Sequence, residues 1–209
     1  QTNFKFYLTG SVSNPNIGLV NKLNTQKQSS SSYYIAWNKA NNLTFPDSSS
    51  LITKAGSLYE DLDMSYSSNK GKYSNIHTLH SRSTPIHKAF TLKIHYNQNL
   101  NPYKDKAVIV SIDGKGRLSS EGGKIEGKNI VCSINKFGTY SVAIDTIAPK
   151  CKPHNFTSGK QIKAQQKTIQ VKISDNLSGI HSYNAYLNGA LVLAEYDGKS
   201  GRLIMDAKK

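Results

Sequence analysis

Cysteine is nearly missing from this chain of 209 residues: Cys132 and Cys151 are the whole supply. Two thiols cannot build a disulfide scaffold or a Cys-rich zinc site, and free buried thiols are the default reading for both, although a bridge between them would staple a domain junction. Long apolar runs are missing too. Nothing approaches 18 consecutive apolar residues, so no segment reads as a membrane-spanning helix. Carboxylates are scarce, with 13 Asp and Glu against 27 Lys and Arg and a formal net charge of +14. Helical periodicity is the fourth absence. No stretch of 12 or more residues keeps apolar side chains at i, i+3, i+4 and i+7, so helices should be short or absent. The chain also opens on Gln1 without an initiator Met or a charged-then-apolar leader, which reads as a mature form or an excised piece.

What is present is alternation. Phe4, Phe6 and Leu8 alternate with Lys5 and Tyr7; Phe90, Leu92, Ile94 and Tyr96 with Thr91, Lys93 and His95. Tyr140, Val142 and Ile144 repeat the pattern, as do Ile169, Val171 and Ile173. Successive strand side chains point to opposite faces, so each segment predicts one apolar and one wet face. Ala107–Ile112 is more continuously apolar and predicts a more central strand. Turn dipeptides punctuate these runs. Asp113-Gly114 and Asn188-Gly189 suit hairpins because Asn, Asp and Gly tolerate positive φ, and Asn188-Gly189 predicts a hairpin of Tyr183–Leu187 with Leu191–Tyr196. Glu121-Gly122-Gly123 and Glu126-Gly127 mark turns before a strand at Ile130–Ile134. The fold class is all-β.

The expected organisation has four parts. Residues 1–42 supply N-terminal strands and a flexible Gln/Ser-rich loop at Asn24–Ser32, packing on or leading into a first sandwich at 43–145. A linker and entry segment follows at 146–168, opened by Asp145-Thr146-Ile147-Ala148-Pro149, where Pro149 cannot donate a ladder hydrogen bond. Residues 169–209 read as a partial immunoglobulin-like domain. About four strands are expected after the boundary, against about 7 in a whole sandwich of that type, so this domain reads as cut short.

Chemistry is sought in convergent side chains. No phosphate-binding Gly-rich loop, nucleophile elbow, His-Glu-x-x-His helix or Cys-x-x-Cys pair exists. His77, His80 and His87 form the single histidine-dense region and are the candidate zinc ligands, imidazole being the usual neutral nitrogen donor. A polar loop with backbone-bonded imidazoles explains them without metal. Glu60, Asp61 and Asp63 invite an acid/base or calcium reading, against which stands a solvated turn and strand entry. Asp175–Gly179 reads as a side-chain-to-backbone turn. Tyr33, Tyr34 and Trp37 are the candidate ligand-binding aromatics, with a strand core as the competing account. Lysines are spread along the chain and accompany no recognition motif, so nucleic acid is not an expected partner. The charge reads instead as steering toward anionic envelope polymers or lipid surfaces.

Two ordered sets of motifs carry a resemblance. One runs Leu43-Thr44-Phe45-Pro46, Ala55-Gly56-Ser57-Leu58-Tyr59-Glu60-Asp61, Tyr73-Ser74-Asn75-Ile76-His77 and Thr84-Pro85-Ile86-His87-Lys88-Ala89-Phe90-Thr91-Leu92. The other runs Phe137-Gly138-Thr139-Tyr140, Asp145-Thr146-Ile147-Ala148-Pro149, Asn155-Phe156 and Ile173-Ser174-Asp175-Asn176-Leu177-Ser178-Gly179-Ile180 with Ser182-Tyr183-Asn184. Over residues 40 to 209 this order resembles the non-catalytic region downstream of the peptidase domain in lysostaphin-type (LytM-like) murein metalloendopeptidases of Bacteroidota. The earlier set also resembles the strand pattern of a ZU5-type sandwich. The family's zinc motifs, His-x-x-x-Asp and His-x-His, do not occur here, so no catalytic or metal residue transfers. The resemblance implies a parent enzyme with zinc in an upstream domain and an exported location, in the periplasm or at the outer membrane or cell surface. Peptidoglycan or envelope proteins are the partners it implies, and positioning or docking is the role left to this chain. A structural subunit derived from such a peptidase and a free-standing glycan-binding module are the alternatives.

Overall fold

The computed structural model describes residues 4–9, 30–163 and 165–207, and for 4–9 and Ser30 the backbone alone. The expected loop at Asn24–Ser32 lies outside the described residues as far as 29. Ser30–Ser32 belong to a strand. Two compact units divide the chain, one of Asn16–Asp145 and one of Gln1–Pro15 with Thr146–Lys209.

Strand β1 (Phe4–Thr9) belongs to the second of these. The Asn16–Asp145 unit holds β2 (Ser30–Ile35), β3 (Asn41–Thr44), β4 (Ser50–Thr53), β5 (Leu62–Lys70), β6 (Asn75–Leu79) and β7 (Phe90–His95). It continues with β8 (Ala107–Ile112), β9 (Leu118–Gly122), β10 (Lys124–Glu126), β11 (Asn129–Ile134) and β12 (Gly138–Ile144). All pairings are antiparallel, in a six-stranded sheet ordered β2-β5-β6-β12-β8-β9 and a five-stranded sheet ordered β10-β11-β7-β4-β3. Alternation does what it predicts. In β7, Phe90, Leu92 and Ile94 are fully buried and the residues between them are half-exposed. Leu51 and Ile130 join them from their sheet; Met64, Tyr66, Leu79, Ile109 and Tyr140 answer from the other. Each such side chain contributes about 1.5–3 kcal/mol on full burial. Phe90 meets Phe137 edge-on, with ring centroids 5.4 Å apart. A 3-10 helical segment, Gln98–Lys106, is the exception to the strand pattern, capped by the Asn97 side chain accepting from Asn99 N–H and anchored by buried Leu100.

The sandwich therefore starts earlier than residue 43. Strand β2 reads as loop because Ser29–Ser32 lack apolar periodicity, yet a sheet edge needs only backbone pairing, which β5 supplies. The segment at 146–168 is likewise more than a linker, since β13 (Lys150–Pro153) pairs with β14 (Thr168–Ser174).

In the other unit, β13 and β14 join β18 (Arg202–Asp206) and β17 (Glu195–Asp197) in a four-stranded sheet ordered β13-β14-β18-β17. Strands β15 (Ser182–Leu187) and β16 (Ala190–Val192) form the predicted Asn188-Gly189 hairpin, with φ of 51° and 89° at the two turn residues. Its second arm ends at Val192, where the chain crosses to the other sheet and resumes as β17. The third strand of that sheet is β1, antiparallel to β15 from Phe4 opposite Leu187 to Thr9 opposite Ser182. The N-terminal strand thus pairs outside the first sandwich. The expected shortage of strands also disappears: β13–β18 with β1 make seven, because a count of apolar runs overlooked short β13 and β17 and the distant contribution of β1. Ile169, Val171, Ile173, Ala185, Leu203 and Met205 form the core of this unit.

Candidate functional site

Two polar constellations in the Asn16–Asp145 unit gather the residue types that do chemistry. The first is buried. His77 faces inward from β6 with no exposed surface, and Tyr66 on the neighbouring β5 brings its hydroxyl to 3.0 Å from Nδ1. On the other side, Nε2 lies 3.4 Å from both Asp47 Oδ2 and Ser49 Oγ, in the β3–β4 turn. The Tyr66 hydroxyl donating to Nδ1 leaves the Nε2 proton facing Asp47 and Ser49. Ser49 Oγ accepts His95 N–H at 2.9 Å, and Asp47 Oδ2 accepts from Asn75 Nδ2 at 3.0 Å. Phe45 stacks on Tyr66 at 4.1 Å and seals the cluster. Ser, His and Asp side by side suggest a hydrolase, but a triad places serine and carboxylate on opposite ring nitrogens. Here both sit at Nε2 and a tyrosine holds the other. The set is a structural lock, and desolvation pulls the His77 pKa below its ordinary value against the opposing pull of Asp47.

The three histidines expected as zinc ligands do separate jobs. His77 belongs to that lock. His80, at φ 45°, accepts Ser65 N–H at Nδ1 (3.2 Å) and meets Phe137 edge-on. His87 is exposed and pairs through Nδ1 with the Tyr59 hydroxyl at 3.2 Å. Among the described residues no three His, Cys, Asp or Glu side chains are grouped as metal ligands. Sequence proximity placed these imidazoles together; strand direction and turn geometry spread them over three environments. Cys132 and Cys151 are free thiols, the first buried so that its pKa is pushed up to about 12.

The second constellation is an exposed aromatic corner. Alternation in β2 turns Tyr33 toward the core, where its ring meets Phe45 and Tyr66 edge-on at 5.3 and 5.5 Å. That corrects its place among the candidate binding aromatics, because its register opposite Met64 puts it on the packing side. Tyr34 points the other way and is 56% exposed; Trp37, in the turn after β2, is 46% exposed. Asn41 holds that turn through Ala36 N–H and the carbonyls of Ala36 and Lys39. Asp61 binds both candidates at once, accepting the Tyr34 hydroxyl at 2.6 Å and Trp37 N–H at 2.9 Å. The Tyr34 hydrogen bond first, then that of Trp37 N–H, lowers the Asp61 pKa, and the bond to Asp61 raises that of Tyr34. Two residues before Asp61 stands Tyr59, 66% exposed, its ring 5.2 Å from His87. Buried Leu58 and Ser57 root this loop, Ser57 O accepts His87 N–H, and Gly56 N–H donates to Trp37 O. The 36–40, 54–61 and 84–88 segments therefore converge on one surface, with Lys88 Nζ bonded to Ala55 O. Sequence reading missed Tyr59 and His87 as members. The one available signal was the Leu58-Tyr59 step, an apolar anchor followed by an aromatic before the acidic group.

A model of the Zu5-like domain matches residues 32–145, more than half of the chain and the span of the two sheets just described. This chain belongs to the Zu5-like domain family. The match ends at Asp145, where the first compact unit also ends. No curated protein and no solved structure matches the chain. A Zu5-like sandwich of immunoglobulin-like type accounts for the architecture and leaves function to the groups displayed on it. In this Zu5-like domain the rings around Asp61 are among the large side chains exposed at the surface, with Tyr103 and Ile125.

Proposed function

We propose that this chain is the accessory, non-catalytic β-sandwich region of a cell-envelope peptidoglycan endopeptidase of lysostaphin type. It holds that enzyme on its polymer. The observation that carries this reading is the aromatic corner. Tyr34, Trp37 and Tyr59 are exposed aromatic residues, and hydrogen bonds to Asp61 and His87 fix their surroundings. Such rings suit the C–H faces of pyranose rings, and the Trp37 indole N–H is left for a sugar hydroxyl. Holding a tethered enzyme near its substrate raises effective concentration without any chemistry in the tether. The net charge of +14 steers the region toward anionic envelope polymers in the periplasm or at the outer membrane. The motif order over residues 40–209 supports the peptidase connection, with zinc and catalytic ligands in an upstream domain of the parent.

Retention on purified peptidoglycan at two salt concentrations tests the reading. Salt-resistant retention that falls about tenfold in Trp37→Ala or Tyr59→Ala is expected. Retention that vanishes at high salt in the unaltered protein would mean charge alone and would overturn it. An upstream reading frame carrying His-x-x-x-Asp and His-x-His is expected in the parent; its absence favours a structural subunit of an envelope complex.

A second reading, a docking subunit of an envelope complex, is favoured by a different observation. In the unit holding β13–β18, Leu191 and Leu193 are 66% and 80% exposed and border a cleft of about 760 Å³ floored by Ile204 and Met205. Exposed apolar patches of this kind mark interaction surfaces. Co-purification from envelope extract, lost in Leu191→Asp/Leu193→Asp while peptidoglycan retention persists, is the result that would select it.

A further inference from the structure

We propose that the Asn16–Asp145 unit carries a second binding site, a cleft for the carboxylate of a small peptide ligand, built from Arg82 and Arg117. The cleft has a volume of about 370 Å³ and is lined by Arg82, Ser111, Asp113, Arg117, Leu118 and Ser119. That size falls at the lower end of ligand pockets and suits a dipeptide-sized group. Two unrelated segments build it. One is the β8–β9 hairpin, in which Asp113 Oδ1 accepts Lys115 and Arg117 N–H at 2.9 and 2.8 Å while Oδ2 takes Arg117 Nε at 2.6 Å. The Arg117 guanidinium is thus held at one nitrogen, and its terminal N–H groups are left for a ligand. The other segment is the β6–β7 connection. There Ser81–Thr84 forms a turn closed by Thr84 N–H donating to Ser81 O, and Arg82 stands exposed within it. Its guanidinium makes no hydrogen bond or ion pair to any described residue.

Charge selects the ligand. Two guanidinium groups and one carboxylate leave a single positive charge on the cleft, which matches one carboxylate. A phosphate dianion would be only half neutralised. Guanidinium N–H pairs match the spacing of carboxylate oxygens, and Ser119 adds a hydroxyl beside them. The aromatic corner shares no residue with this cleft, so the inference stands apart from the proposed function.

Titration of the whole chain at constant ionic strength, followed residue by residue by ¹H–¹⁵N NMR, tests it with three probes. These are N-acetyl-alanyl-alanine, the same dipeptide as its C-terminal amide, and inorganic phosphate. The free carboxylate is expected to shift Arg82, Ser111 and Arg117–Ser119 together, with the amide silent and phosphate weaker by about tenfold. Arg82→Gln should weaken the carboxylate by about tenfold with the rest of the spectrum unmoved, and Arg82→Lys should recover only part, because an ammonium cannot offer the paired N–H groups. No response to the dipeptide acid overturns the proposal. So does equal binding of the amide, equal or tighter binding of phosphate, or an Arg82→Gln variant that binds like the unaltered chain.

Discussion

The buried lock and the exposed corner are made of the same parts: an aspartate, a histidine and tyrosines, each with an aromatic ring stacked or tilted nearby. Around His77 the ring nitrogens are spent on neighbours, the imidazole itself has no exposed surface, and only Asp47 keeps partial contact with solvent. Around Asp61 the polar atoms are spent in the same way, yet the rings they steady face water. Composition therefore does not separate a buried cluster from an exposed one. Register does, by setting solvent access. Within β2, one residue step takes Tyr33 to the core side and Tyr34 to the surface.

Breaking the lock should cost the most. His77→Ala leaves the Tyr66 hydroxyl and the Asp47 carboxylate without their partner and opens a cavity, for a loss of about 3 kcal/mol in urea unfolding. Peptidoglycan retention should be unchanged wherever the variant is still folded. Acid is a gentler way to break the same contact. Because burial depresses the His77 pKa below 6.5, the unfolded chain takes up a proton before the folded one does. Stability from this group is therefore complete above 6.5 and declines as pH falls below it, toward the lowered folded-state value. Unfolding midpoints measured from pH 7.5 downward should show that decline, and His77→Gln should remove His77's share of the slope.

At the corner the signs reverse. Trp37→Ala should lower retention about tenfold while moving stability by less than about 1 kcal/mol. Equal losses of stability and binding in both variants would erase the distinction between the two regions. Smallest is Asp61→Asn, which keeps an oxygen acceptor but gives up the charge. A weakening of retention of about threefold is expected, read from the same peptidoglycan retention assay. A far larger loss would place Asp61 in contact with the ligand itself.

Much of the sandwich was legible because alternation is a local property. Phe90, Leu92 and Ile94 announce a strand and its buried face without any neighbour, and Asn188-Gly189 announces its own turn. What stayed illegible depends on partners far along the chain. Nothing within Ser30–Ser32 says that β5 will pair with it. Nothing in Tyr33-Tyr34 says which ring faces inward until Tyr33 is set opposite Met64. The Asp61 clamp reaches residues 24 and 27 positions away, one of them through a backbone N–H that carries no side-chain signature. The Zu5-like assignment followed motif order, while the site emerged only from loops meeting in space.

The pairing of β1 with β15 makes one unit of the molecule discontinuous in sequence. Its partner at residues 182–187 lies on the far side of the Asn16–Asp145 unit in the sequence. The Zu5-like domain is thus an insertion, in sequence, within a discontinuous neighbouring unit. Trimming those first residues would strip an edge strand from the far end of the sequence, and the wound would appear beside β15 rather than beside the cut.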